Sequence, residues 1–150
     1  MNFNEALQKA AAYCSLSEKC EYEVKEKLRT WDVSNTDVAK VIDQLRHDDF
    51  INDTRYCTYY TRDKFRFNRW GKIKIGMMLR SKQLPEEEIT NALAQIDEAE
   101  YEEALVVILQ TKLKSLTYKF AYEKQGKLFR FAQSRGFEHN IISNVLRQLE

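Results

Sequence analysis

The sequence predicts an all-α protein, an elongated array of three tandem three-helix units. Three observations carry this prediction. Chain breakers are scarce, with Pro85 the single proline and four glycines in 150 residues, whereas sheets need many tight turns. Apolar positions recur at a period of about 51 residues, the mark of stacked supersecondary units. No stretch alternates apolar and polar residues long enough to make a strand.

The repeat rests on three segments: VKEKLRTWDVSNTDVAKVIDQL (24–45), IGMMLRSKQLPEEEITNALAQI (75–96) and KLFRFAQSRGFEHNIISNVLRQL (127–149). Leu28, Leu79 and Phe131 align, at separations of 51 and 52. Ten residues after each come Val38, Ile89 and Ile141, and then Val41–Ile42, Ala92–Leu93 and Asn144–Val145. The predicted units are residues 1–52, 53–98 and 99–150.

In the first unit, Ser17 suits a helix N-cap with Leu16 before it as a staple residue, and Ser34 opens a later helix. The second unit reads as helices over 53–66, 69–82 and 86–96. Asp53 starts the first of these. Asn68, 51 residues after Ser17, suits the second, with Phe67 as its staple. Pro85 and the run Glu86, Glu87, Glu88 favour the start of the third. Ile75, Met78 and Leu79 form one apolar stripe, and Ile89, Leu93 and Ile96 form another. In the third unit the turn QSRGFEHN contains Gly136, which takes the left-handed conformation that ends a helix.

Composition bounds the function. Hydrophobic residues make up 43% of the chain and charged residues 31%, enough for a core beneath an ionic surface. No apolar run approaches the roughly 20 residues that span a bilayer. The start, MNFNEALQKAAAYCSLSEKC, lacks a basic end followed by an apolar block and does not read as a signal peptide, so the expected location is cytoplasmic. Cys14, Cys20 and Cys57 are odd in number, which argues against a disulfide framework and for small buried hydrophobes. His47 and His139 are far apart in the chain. No metal-ligand spacing, glycine-rich phosphate loop or paired carboxylate motif is present. The expectation is a protein without catalytic activity, cofactor or metal.

Net charge is +1, but the charges are sorted into blocks. Residues 1–54 carry seven bases and eleven acids; 55–82 carry nine bases and one acid; 83–111 carry eight acids and no base; 112–135 carry seven bases and one acid. Such blocks steer charged partners even when the total is near zero. The most concentrated stretch is RDKFRFNRWGKIK, residues 62–74.

On the helix from Asp53, spacing puts Tyr56, Cys57, Tyr60 and Phe67 on one face. Arg55, Tyr59, Arg62 and Arg66 fall on another. Three arginines and a tyrosine on one line make a phosphate-binding edge, because guanidinium groups pair phosphates in bidentate fashion. Arg69, Lys72, Lys74 and Arg80 extend the candidate surface. Lys72, Gly76 and Arg80 share a face on which Gly76 permits close approach by a partner. The bland alternative is a solvated basic face balanced by the acidic block. Trp70 reads as a packing residue; Phe65 fits neither assigned face. A second basic cluster, from Lys112 to Arg135, suits a further contact along a long partner.

Phe50, Asn52, Asp53 and Arg55, then Gly71, Lys74, Ile75 and Leu79, and then the turn Arg135, Gly136, Phe137 follow one another in an order and spacing that resembles the RecX family of recombinase regulators. The resemblance covers about residues 5–149. Departures are Cys57 after the Asn-Asp start, Lys82-Gln83 where a Lys-Gly turn is usual, and Arg29-Thr30-Trp31-Asp32 in place of a glycine turn. The resemblance implies a curved, non-enzymatic array that lies in the groove of a RecA–DNA filament; a monomer is expected. It further implies restraint of recombination, DNA repair and filament ATP hydrolysis, with DNA contacted inside the filament and no membrane partner. A stand-alone helical DNA-binding protein and a helical-repeat adaptor are the rival readings.

Overall fold

The computed structural model describes residues 1–150 and contains nine helices and no strand. They are α1 (Phe3–Leu16), α2 (Glu21–Thr30), α3 (Asn35–His47), α4 (Asp53–Arg66), α5 (Lys72–Ser81), α6 (Glu86–Ala94), α7 (Glu98–Ser115), α8 (Ala121–Ser134) and α9 (His139–Gln148). In chain order they form three consecutive three-helix segments, as the repeat predicts. No helix is long and apolar enough to cross a membrane.

The helix starts follow local chemistry, with two departures from expectation. Ser34 accepts a hydrogen bond from the Asp37 amide, and Asn52 accepts one from the Arg55 amide. Asp97 does the same for Glu100. Ser17, however, caps the end of α1 rather than the start of α2. The residue before α2 is Cys20, whose amide and thiol both donate to the Glu23 carboxylate, at 3.1 and 3.3 Å. Asn68 likewise lies outside α5, which Gly71 precedes. Leu16 and Phe67, expected as staples, are 82% and 80% exposed. Apolar neighbours make a staple only when the cap next to them is used, and here neither is.

The repeat is sharpest at the turn after each second helix. Asp32, Gln83 and Gly136 all take positive φ, at 57°, 63° and 95°. In each turn the next amide reaches back across the helix end. Val33 donates to Leu28 O, Leu84 to Leu79 O and Phe137 to Ala132 O, at 3.2, 3.2 and 3.3 Å. This is the Schellman arrangement, which satisfies carbonyls that the helix leaves orphaned. Val33, Leu84 and Phe137 then bury their side chains.

These turns correct the alignment of the third segment. The partner of Leu28 and Leu79 is Ala132, not Phe131, and the partner of Val38 and Ile89 is Ile142, not Ile141. Val41–Ile42 and Ala92–Leu93 correspond to Val145–Leu146. The burial agrees: Ala132, Ile142 and Val145 are all 0% exposed, while Phe131 and Ile141 are only half-buried.

The residues divide into two compact units: Met1–Tyr60 with Leu79–Ile89, and Thr61–Met78 with Thr90–Glu150. In the first, α1, α2 and α3 enclose a core that includes Ala6, Ala10, Val24, Leu28, Val41 and Leu45. Alanines at Ala6 and Ala10 let the α1 backbone approach its neighbours closely. All three cysteines are buried and unpaired, as expected. In the second unit, Tyr101 of α7 sits between Phe65 and Phe137, with ring centroids 5.7 and 5.0 Å away. Leu105, Leu109, Leu128 and Ile142 complete this interior, and burying each such side chain is worth about 1.5–3 kcal/mol.

One close approach organises the second unit. Gly71 donates to Arg135 O at 2.8 Å, and Ile73 donates to Gly136 O at 2.9 Å. A Cβ on Gly71 would lie 2.4 Å from the Gly136 carbonyl carbon. A Cβ on Gly136 would lie 2.3 Å from that of Lys74. Only glycine fits either place.

Candidate nucleic-acid interface

The predicted basic residues fall in different environments. Within the first unit, Arg55 is held by its own fold. Its Nε lies 2.5 and 2.7 Å from the two Glu18 carboxylate oxygens, and its terminal nitrogens reach Asp49 Oδ2 at 3.0 Å and Asp49 O at 2.8 Å. The Glu18 hydrogen bond, opposed by partial burial, holds its pKa above the ordinary arginine value. A guanidinium so fully engaged has few donors left for a phosphate. Asp49 is itself in the left-handed region, φ 61°, at the turn that Arg55 clamps. Arg80 is also paired, donating to both Glu86 oxygens at 2.8 and 2.7 Å, but this pair is exposed and easily exchanged. Tyr59 is 47% exposed and remains near solvent.

Within the second unit, Arg62, Arg66 and Arg69 are exposed. Arg66 and Arg69 line a groove that also holds Glu100 and Glu103 of α7, so part of their field meets acid. Lys72 and Lys74 lie over aromatic rings. Lys72 Nζ is 5.0 Å from the Tyr101 centroid and Lys74 Nζ is 4.6 Å from that of Trp70, which Lys64 also covers at 5.0 Å. Trp70 is thus half-buried under two cations. The Lys72 amide donates to the Tyr101 hydroxyl at 2.8 Å, and that hydroxyl donates to Glu138. Burial first, and then the Glu138 bond, push the Tyr101 pKa well above its usual value.

Three residues lie elsewhere than the spacing indicated. Gly76 is buried and offers no surface for a partner. Met78 is 37% exposed, so Ile75 and Leu79 form the buried stripe of α5 without it. Phe67 leaves the buried face because α4 stops at Arg66 and Arg69 turns the chain at φ 56°. The buried line of α4 is Cys57, Thr61 and Phe65, at every fourth residue, which accounts for Phe65.

Comparison with known proteins gives the family. Family models for the first, second and third three-helix domains of RecX match residues 6–45, 52–93 and 99–146. This chain belongs to the RecX family. It is 31% identical over 134 residues to the regulatory protein RecX of Clostridium botulinum (strain Eklund 17B / Type B), covering 87% of this chain and 61% of that protein. It is 27% identical over 152 residues to the regulatory protein RecX of Bacillus thuringiensis (strain Al Hakam), covering 99% of this chain and 56% of that protein. The chain therefore spans under two thirds of the length of these relatives. A crystal structure of RecX from Lactobacillus salivarius has the same fold, with TM-score 0.88 at 23% identity over 98% of this chain and 96% of that one. A second crystal structure, of a regulatory protein RecX, has TM-score 0.89 at 20% identity, over 97% and 71%.

Asp32 and Gln83 hold the left-handed backbone of these turns without being glycine. Each does so at about 1–2 kcal/mol of backbone strain.

Proposed function

We propose that this RecX-family chain regulates, by inhibition, a RecA-type recombinase. It acts without catalysis of its own, as a monomer in the cytoplasm. It binds the groove of the recombinase filament, touches the DNA held there, and lowers the filament's ATP hydrolysis and its part in recombination and DNA repair. In this reading residues 1–52, 53–98 and 99–150 serve as three tandem contact units. The observation that supports it most is the run from Arg62 to Arg69 on a RecX scaffold, where Arg62, Arg66 and Arg69 are all exposed. The planar guanidinium fork pairs phosphates and carboxylates in bidentate fashion. Lys72, Lys74, Arg80 and Tyr59 stand as supporting contacts. Arg55, engaged with Glu18 and Asp49, contributes by shaping the first unit instead.

The test is DNA-dependent ATP hydrolysis by a recombinase with this protein titrated in. Suppression at substoichiometric ratios is the expected result. The double variant Arg62→Glu/Arg66→Glu should remain folded and lose suppression. No suppression by a folded wild-type sample would overturn the reading, and tight DNA binding by such a non-suppressing sample would favour the stand-alone DNA-binding alternative.

A further inference from the structure

Within the second unit, a groove of about 450 Å³ runs between the end of α4, α7 and the end of α8. That size lies in the range of roughly 300–1,000 Å³ typical of ligand pockets. Its walls include Arg69, Lys112 and Arg135 and no carboxylate. The neighbouring groove shares Arg69 but is lined by Glu100 and Glu103 as well.

Two of these cations lie over one aromatic ring. Lys112 Nζ lies 4.8 Å and the Arg135 guanidinium carbon 5.2 Å from the same Phe131 ring. Arg135 is steadied further by its bond to Asn68 O, at 3.4 Å. Two cations gathered on one ring repel each other unless an anion joins them. Arg69 sits at φ 56°, where a side-chain-bearing residue is strained. Phe67, also in the groove wall, is 80% exposed. An open aromatic face beside clustered cations is how proteins hold an unstacked base and its phosphates.

We infer that this groove binds single-stranded nucleic acid, with phosphates at Arg69, Lys112 and Arg135 and a base against Phe67. A single strand is favoured because the base must leave its stack to reach the ring. The site needs no recombinase and so stands or falls separately from filament regulation.

The experiment is fluorescence anisotropy of a labelled oligothymidylate with the full chain alone, at several salt concentrations. Phe67→Ala should weaken binding at least about fivefold with the salt slope unchanged, because stacking is lost and charge is kept. Arg69→Gly and Lys112→Gln should each weaken binding and lower the salt slope by about 0.7. Arg69→Gly should do so with an unchanged or raised melting temperature, which excludes unfolding as the cause. Wild-type protein that leaves the oligonucleotide unbound at low salt overturns the inference. So does wild-type affinity in both Phe67→Ala and Arg69→Gly. Displacement by polyglutamate as readily as by unlabelled oligonucleotide overturns it in favour of an acidic peptide ligand.

Discussion

Replacing Gly136 by alanine tests the central packing argument, because the same turn recurs at Gln83 with the opposite expectation. At Gly136 φ is 95°, and a Cβ would lie 2.3 Å from Lys74 Cβ, 2.7 Å from Lys74 N and 3.0 Å from Lys74 Cα. The left-handed backbone costs an alanine about 1–2 kcal/mol. Relieving overlap with backbone atoms costs roughly 1–3 kcal/mol more. The shift that relieves it also stretches the bonds from Gly71 to Arg135 O and from Ile73 to Gly136 O. Gly136→Ala should therefore lose roughly 2–5 kcal/mol, or about 5–20 °C in Tm for a chain of this length. At Gln83 φ is 63° and the side chain is exposed. Gln83→Gly recovers the left-handed cost but gives the unfolded chain more freedom, for a net gain of about 0.5–1 kcal/mol. Urea and thermal unfolding followed by circular dichroism measure both. A Gly136→Ala variant within about 0.5 kcal/mol of the parent would refute the close approach of Gly136 to Lys74.

Three further outcomes follow from particular residues. Thr61 is 2% exposed and its hydroxyl has no hydrogen-bond partner, so Thr61→Val should stabilise the chain by about 1 kcal/mol in urea unfolding; a loss would mean the hydroxyl is satisfied. Arg55→Ala removes the ties to Glu18 and Asp49 and should cost about 1–3 kcal/mol, while the folded variant still suppresses recombinase ATP hydrolysis; retained stability with lost suppression would return Arg55 to the binding surface. Burial pushes the Cys14 and Cys20 thiols up to about 11 and Cys57 up to about 12, from an ordinary value of 9.0. Protonated thiols are therefore favoured by the fold. Their contribution is complete below about pH 9 and is lost as pH rises towards 11–12, at about 1.4 kcal/mol per thiol per pH unit. Unfolding free energies between about pH 8 and 10 should fall more steeply in the parent than in a Cys14→Ala/Cys20→Ala/Cys57→Ala variant, and equal slopes would contradict this.

The sequence by itself determined the helical class, the threefold repeat and the family. Each depends on patterns that local physics reads directly: few breakers, apolar spacing near 3.6 residues and capping residues such as Ser34 and Asn52. It also located the basic stretch, though of the three arginines placed on one line, Arg55, Arg62 and Arg66, the first is engaged by the fold. The register of the third segment was decided only by tertiary structure. Phe131 and Ala132, like Ile141 and Ile142, are adjacent apolar pairs, and spacing alone admits either member. The left-handed residue after each second helix selects Ala132 and Ile142, and Asp32 and Gln83 carry no glycine signal to announce it. The same holds for the candidate surface. Arg55 lies on the basic line that spacing predicts, yet Glu18, distant in sequence, engages it. Phe67 follows the apolar spacing of a helix that has already ended. Which cation is spent inside the fold, and which faces solvent, depends on neighbours that only folding brings together.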